Sequence, residues 1–250
     1  MSQYEVSTLK KGLQILDLLQ TKRFLTLKEI SETLQLNKTT AFRLLHTLED
    51  MEYINKFENY FELNTKKFHS VADHDTSIDW TTLRSPYLLA RNTGENVYIG
   101  TFDGSDLVMR QVIKPPFDEP FTEEIGDRSP QHYTAIGKVI LAFSDEDQQK
   151  EALSLLSSTP ATDHTFVDPE LLLYHLDVIK KQGFALDDEE RFIGLRCLAA
   201  PVFMDNKVIA AVAIDGPVER MKRSMLRGLT NKVITASKDI TAEINANYQI

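Results

Sequence analysis

TLKEISETLQLNKTTAFRLLHTLEDMEYINKFENYFEL, residues 26–63, is a run in which each local signal points the same way. Thr26-Leu-Lys-Glu29 is a capping box, the threonine oxygen and the Glu29 side chain each satisfying an orphan amide at a helix start. The apolar positions Leu27, Ile30 and Leu34 follow at helical spacing. Gln35-Leu36-Asn37 then interrupts, with Asn37 available to cap a second helix. That second helix carries Ala41, Leu44, Leu45 and Leu48 on one stripe. Off the stripe lie Lys38, Thr39, Thr40, Arg43 and Thr47, small hydroxyls and cations of the kind that reach base edges and phosphates from a helix in the major groove. Tyr53–Phe57 and Tyr60–Leu63 are short aromatic and β-branched runs around Glu58-Asn59, the pattern of a hairpin. The reading is a helix-turn-helix with a two-stranded wing, in which Lys56 and Asn59 are placed to touch DNA backbone or minor groove.

Outward from this unit, the chain of 250 residues is long enough for two domains, and its 42% apolar and 26% charged content is that of a globular protein. A net charge of −9 argues at first against nucleic acid. The charge is unevenly placed, however: residues 1–68 carry 10 Lys and Arg against 9 Asp and Glu, and the remainder carries 18 against 28. The acidity belongs to the second part, which leaves a local cationic face available in the first. No run of about 18 apolar residues occurs, and the start Met-Ser-Gln-Tyr-Glu lacks the pattern of a signal peptide, so a cytoplasmic protein with no membrane partner is expected. One cysteine, Cys197, excludes a disulfide framework.

The first helix, from about Val6 to Gln20, has Val6, Leu9, Leu13 and Leu16 on one stripe, widened by Ile15 and Leu19. Such width suggests burial on more than one side, by the helix-turn-helix core and by the same helix of a second subunit. Residues 68–79 are polar and poor in pattern, and a boundary is placed there: residues 1–70 as the winged helix-turn-helix, 71–92 as linker helices, 93–250 as the second domain. Ser85-Pro86 reads as an N-cap and first-turn proline of a helix ending near Gly94. Strands are expected at Val97–Thr101 and Leu107–Ile113, with a loop over 114–120. Helices are expected at Thr134–Phe143, from a Ser144 cap to about Leu156, and from Asp168-Pro169 to Gly183. A strand pair, Leu195–Phe203 and Val208–Ile214, should be broken by Gly216-Pro217, and a closing helix carries Leu226 to Ile244. The fold class is α+β in two domains.

Enzyme signatures are missing: no G-x-G-x-x-G, no P-loop, no G-x-S-x-G elbow, no H-E-x-x-H. Cys197 lies in an apolar strand, where an inert buried thiol is the usual state. Asp187-Asp188-Glu189-Glu190 reads as a solvated loop or helix start unless one acid turns inward. Asp187, Cys197, Asp215 and His132 could converge on a metal, but no ligand spacing demands one, and no cofactor is implied.

Residues 131–142, QHYTAIGKVILA, resemble a segment of the isocitrate lyase regulator (IclR) family of bacterial transcription factors. Residues 182–190 and 194–201 are similar to the family's second long motif, and the likeness runs from about Val6 to Ile244. The resemblance implies a winged helix-turn-helix joined by a helical linker to a GAF-like effector-binding domain, assembled as a homodimer or homotetramer. It implies a regulator, not an enzyme, more often a repressor, whose grip on operator DNA is altered by a small metabolite, an organic acid or a sugar-derived compound. The family's pocket positions correspond here to Phe121, Ser129, Ala135, Ile136, Asp187, Leu195, Cys197, Ala213 and Asp215. Where relatives for small keto acids present serines, this chain has Ala213 and Asp215; an anion there would repel an acidic ligand, so a polyhydroxylated, neutral or cationic one is expected. Arg43 is the first candidate for a base contact. Two other readings are a ligand-binding enzyme with an accessory winged helix and a ligand-independent interaction module.

Overall fold

The computed structural model describes residues 6–22, 24–64, 78–104, 106–115, 123–156 and 160–248. The chain forms two compact units, residues 1–76 and 77–250. Phe121 and residues 71–77 of the expected linker lie outside the described residues.

In the first unit, α1 (Ser7–Thr21) is followed by β1 (Leu25–Thr26), α2 (Leu27–Thr33), α3 (Lys38–Asp50), β2 (Ile54–Phe57) and β3 (Tyr60–Leu63). The capping box forms: Thr26 N–H donates to Glu29 Oε2 at 2.8 Å, and Glu29 N–H donates to Thr26 Oγ1 at 3.3 Å. Asn37 Oδ1 accepts from Thr40 N–H at 2.7 Å and starts α3. Strand β1, too short to show a periodicity, adds a third strand in the order β1-β3-β2. Ile15, Leu19, Ile30, Leu45, Ile54 and Phe61 form the core. Among the described residues one side of α1 is covered and the other is not: Ile15 and Leu19 are fully buried, whereas Leu9 and Leu13 are 61% and 52% exposed, and Val6 just before the helix is 63% exposed.

In the second unit a short 3-10 turn (Trp80–Thr82) leads to α4 (Ser85–Thr93), β4 (Asn96–Asp103), β5 (Asp106–Ile113) and β6 (Arg128–Pro130). Then come α5 (Ala135–Phe143), α6 (Glu146–Ser154), α7 (Pro169–Gln182), β7 (Ala185–Asp188), β8 (Leu195–Met204), β9 (Lys207–Pro217) and α8 (Arg223–Asn247). The six strands pair antiparallel in the order β6-β5-β4-β9-β8-β7. Alternation along each strand divides the side chains between two cores. Tyr98, Met109, Ala185, Ala199, Ala211 and Ala213 meet α5, α6 and α7, and Val97, Ile99, Leu198, Val202, Val212 and Ile214 meet α4 and α8.

Three local expectations are corrected. Ser85 is the first helical residue rather than the cap, and α4 is capped instead by Glu243 of α8, which accepts from the backbone N–H groups of Arg84 and Ser85 at 2.7 and 3.0 Å. Asp145, not Ser144, caps α6, accepting from Gln148 N–H at 2.9 Å. Gly216-Pro217 does not break β9: Gly216 and Pro217 pair with Arg196 and Leu195. The ladder with β4 has already ended at Asp215, so the proline's missing N–H costs no bond on that side.

Helix α5 lies close on the sheet because small residues face it. A methyl at Gly137 would sit 1.7 Å from the Gln131 carbonyl oxygen, and one at Gly100 would meet Leu107 and Ile136 at 2.8 and 2.9 Å. Thr134 caps the helix, its Oγ1 accepting from Gly137 N–H at 3.0 Å.

Candidate functional sites

On α3 the buried stripe is Ala41 and Leu45, and the opposite side presents Lys38, Thr39, Phe42, Arg43, His46 and Thr47 to solvent. Four of the five helix residues singled out in the sequence therefore share one outward face. Thr40 is turned half inward, its N–H used by Asn37. Thr47 donates its hydroxyl to the Arg43 carbonyl at 2.9 Å, which leaves that oxygen as an acceptor only toward a ligand. Among the described residues neither Lys38 nor Arg43 has an ion-pair partner. At the wing, Lys56 stands 5.8 Å from the Phe61 ring centroid, and Asn59 is exposed at the tip beside Glu58, whose φ of 52° makes the tight turn. Phe42 and His46 were not singled out, although their spacing with Lys38 is the helical i, i+4, i+8.

The second site is built by register. Asp187 on β7 faces Cys197 on β8, Cys197 faces Asp215 on β9, and Asp215 faces Asn96 on β4, so four strands place one polar row on a single face. Ala185, Ala199, Ala213 and Tyr98 form the next row. Leu195 is two residues before Cys197 on the same face and half-buried. Ala135 and Ile136 open α5, where the N–H groups of the first turn have no acceptor within the helix. Ser129 is buried on β6 opposite Leu107, which pairs with Phe102, so its register row is not that of Asn96.

The acids of this region have turned inward. Asp187 and Glu190 are 6% and 5% exposed, which replaces the solvated loop read at 187–190. Asp187 Oδ1 accepts from Glu190 N–H at 2.8 Å, and Glu190 Oε1 meets Lys138 Nζ at 2.5 Å. Lys138, wholly buried in α5, also donates to the Leu186 carbonyl at 3.1 Å and lies 5.3 Å from the Phe166 ring. Burial pushes Glu190 up to about 7 against the pull of Lys138, and raises Asp187 likewise. Asp215 accepts from Asn96 Nδ2 at 2.8 Å; burial pushes it up to about 7, the Asn96 bond opposing. The full anion expected at 215 is therefore weakened near neutrality.

Cys197 keeps some accessible surface, yet burial first and then Asp215 and Asp187 drive its thiol well above the usual range. A thiol held protonated is a poor nucleophile. Among the described residues Asn96 Oδ1, the Ser129 hydroxyl and Glu190 Oε2 are buried without a hydrogen-bond partner. The Tyr98 hydroxyl is pushed up by burial, then by Asp215. Arg191 forms an ion pair with Glu123. Among the described residues no group of three or more His, Cys, Asp or Glu side chains is placed to hold a metal ion. Asn96, Tyr98, Lys138 and Glu190 were missed in the sequence, since nothing local marks which positions share a row.

A winged helix-turn-helix together with a domain whose sheet carries a buried polar row defines a DNA-binding regulator of the ligand-sensing class. The chain belongs to the IclR family of bacterial transcriptional regulators: residues 8–56 match the IclR helix-turn-helix domain and residues 76–242 the bacterial transcriptional regulator IclR C-terminal domain. It is 32% identical to the HTH-type transcriptional regulator KdgR of Escherichia coli, over 96% of this chain and 93% of that one. The transcriptional repressor IclR of the same organism is 27% identical, over 95% and 89%. An IclR homologue from Microbacterium hydrocarbonoxydans, solved in complex with 4-hydroxybenzoate, shares the fold at a TM-score of 0.63, with 16% identity, over 96% of this chain and all of that one. The protein is thus a non-enzymatic DNA-binding transcriptional regulator with an effector-binding C-terminal domain. Among the described residues no helix is long and apolar enough to cross a membrane.

Proposed function

We propose that the protein is a cytoplasmic repressor whose operator binding is governed by a sugar-derived, polyhydroxylated compound held at the polar row Asp187, Cys197, Asp215 and Asn96. The carrying observation is Asn96 Oδ1 in that row and Glu190 Oε2 beside it, both buried and without a hydrogen-bond partner among the described residues, since such atoms in a native protein call for a ligand or water. Asn96 Oδ1 and the raised carboxyl of Asp215 accept hydroxyl hydrogens. A carbonyl or carboxylate at the other end of the compound suits the first-turn N–H groups of Ala135 and Ile136 at the start of α5, away from Asp215. Ala213, in place of a hydroxyl-bearing residue, removes one donor from the site.

In the first unit Arg43 takes a base contact, Thr39 supports it, Lys38 meets a phosphate, and Lys56 and Asn59 follow the backbone. Repression is supported by the relative named a transcriptional repressor. The uncovered apolar side of α1, with Val6, Leu9 and Leu13, favours self-association, and the segment 71–92 is the natural carrier of coupling between the sites.

A thermal-shift series on the full-length chain tests the effector reading, with glycerol, pentoses, hexoses and hexonic acids set against pyruvate and glyoxylate. Stabilisation by a hydroxyl-rich compound, lost in Asp215→Ala, supports it. Stabilisation by pyruvate or glyoxylate alone overturns it.

A further inference from the structure

Phe42 stands 52% exposed on α3, between Lys38 and His46 on the outward face. We infer that Phe42 is a specificity-determining residue of the DNA interface, and that its ring docks on the 5-methyl group of a thymine in the major groove. The inference rests on the reading of α3 as the helix that enters that groove.

A large aromatic surface left in water has no use in the folded unit. Phe42 takes no part in the core formed by Ile15, Leu19, Ile30, Leu45 and Phe61. Alanine, a better helix former, would serve α3 at that position. The ring is nevertheless held: His46 lies edge-on at 6.2 Å between centroids, and His46 Nδ1 is tied to Asp50 Oδ2 at 2.9 Å. An exposed aromatic ring supported on its own helix, one turn beyond Lys38 and next to Arg43, is placed among groups that meet DNA. The occupant follows from charge and from groove chemistry. Lys38 and Arg43 flank the ring and favour a polyanion, and thymine alone presents a methyl group in the major groove. Asp50 at the far end of the stripe repels phosphate, which confines the contact to the first half of α3.

The test uses the full-length chain and synthetic duplexes with a randomised core spanning two successive major grooves. The enriched duplex is titrated by fluorescence anisotropy, and each thymine is then replaced singly by deoxyuridine, which removes only the methyl. The wild type is expected to lose about fourfold in affinity at one position per bound copy, the worth of one buried methyl group. Phe42→Ala and Phe42→Gln should bind the thymine and deoxyuridine duplexes equally, with unchanged melting curves. Indifference of the wild type to every replacement overturns the assignment, as does discrimination retained in both variants or an enriched core without thymine. A pool that yields no enriched duplex would instead remove the premise that α3 reads DNA.

Discussion

Lys138, without solvent contact, meets Glu190 at 2.5 Å and thereby fastens α5 to the turn that follows β7. The same turn is held from the other side by Asp187, which accepts from the Glu190 N–H. One ion pair therefore sets the position of a carboxylate in the polar row. Removing one partner leaves a buried uncompensated charge, which costs about 3–5 kcal/mol, whereas replacing both with apolar groups is cheaper. Lys138→Met should destabilise the second unit by about that amount, and Lys138→Met/Glu190→Leu by less. Urea unfolding followed by the fluorescence of Trp80, the sole tryptophan, reads both. A double variant weaker than the single one would show that the pair is not the fastening.

Asp215 gives a pH signature. Its carboxyl titrates at about 7 in the folded chain against an ordinary 3.8, so between these values the native state holds a proton that the unfolded chain releases. Its contribution is complete below about pH 4 and is lost as the pH rises to 7. Asp215→Asn removes this dependence while preserving an acceptor for Asn96. The variant should gain on the wild type by up to about 1.4 kcal/mol per pH unit between pH 5 and 7. Glu190 and His175 titrate in both proteins and cancel in the difference. Parallel stability curves would refute the assignment of a buried, raised carboxyl at 215.

Gly137 has no room for a side chain, because a methyl there meets the Gln131 carbonyl, which is backbone and cannot turn aside. Gly137→Ala is expected to cost about 3 kcal/mol or more and to weaken effector binding by shifting the first turn of α5. Gly228→Ala, in α8 with nothing within 4 Å, is the control and should stabilise by roughly 0.8–1 kcal/mol. Differential scanning calorimetry of both variants decides whether the contact at 137 is as unyielding as its geometry.

Arg43 is exposed, and its guanidinium has no ion-pair partner among the described residues. Arg43→Ala should cost about 1–3 kcal/mol of specific operator affinity and leave the melting curve unchanged. Equal gel-shift affinities on a selected duplex would remove Arg43 from the base contacts.

The winged unit was legible because its signals are local. The Thr26-Glu29 box, the Asn37 cap and the Glu58-Asn59 turn each act within four residues, and each formed as read. The polar row was not legible, although three of its members had been named from a family likeness. Asp187, Cys197, Asp215 and Asn96 share a face only through the pairing of β4, β9, β8 and β7, and that register is fixed by contacts up to 119 residues apart. Strand β7 escaped notice because Asp187 and Asp188 carry charges that read as a loop. It is a strand because Lys138 donates to the Leu186 carbonyl at 3.1 Å and Arg196 neutralises Asp188, its Nε meeting Asp188 Oδ1 at 2.6 Å. Pro217 misled in the opposite sense, since a proline ends a strand only where a neighbour requires its N–H.

The tier Ala185, Ala199 and Ala213 supplies the short spacers on which α5 rests, and the row beside it supplies the polar contacts. Headroom and chemistry are therefore held by separate residues. If the polar row holds the effector as proposed, enlarging a spacer to valine would lift the helix and alter which molecular lengths are admitted, while exchanging Asn96 or Asp215 would alter which functional groups are welcomed. On the proposed function, a chain built this way can change its effector along either axis without first surrendering the other.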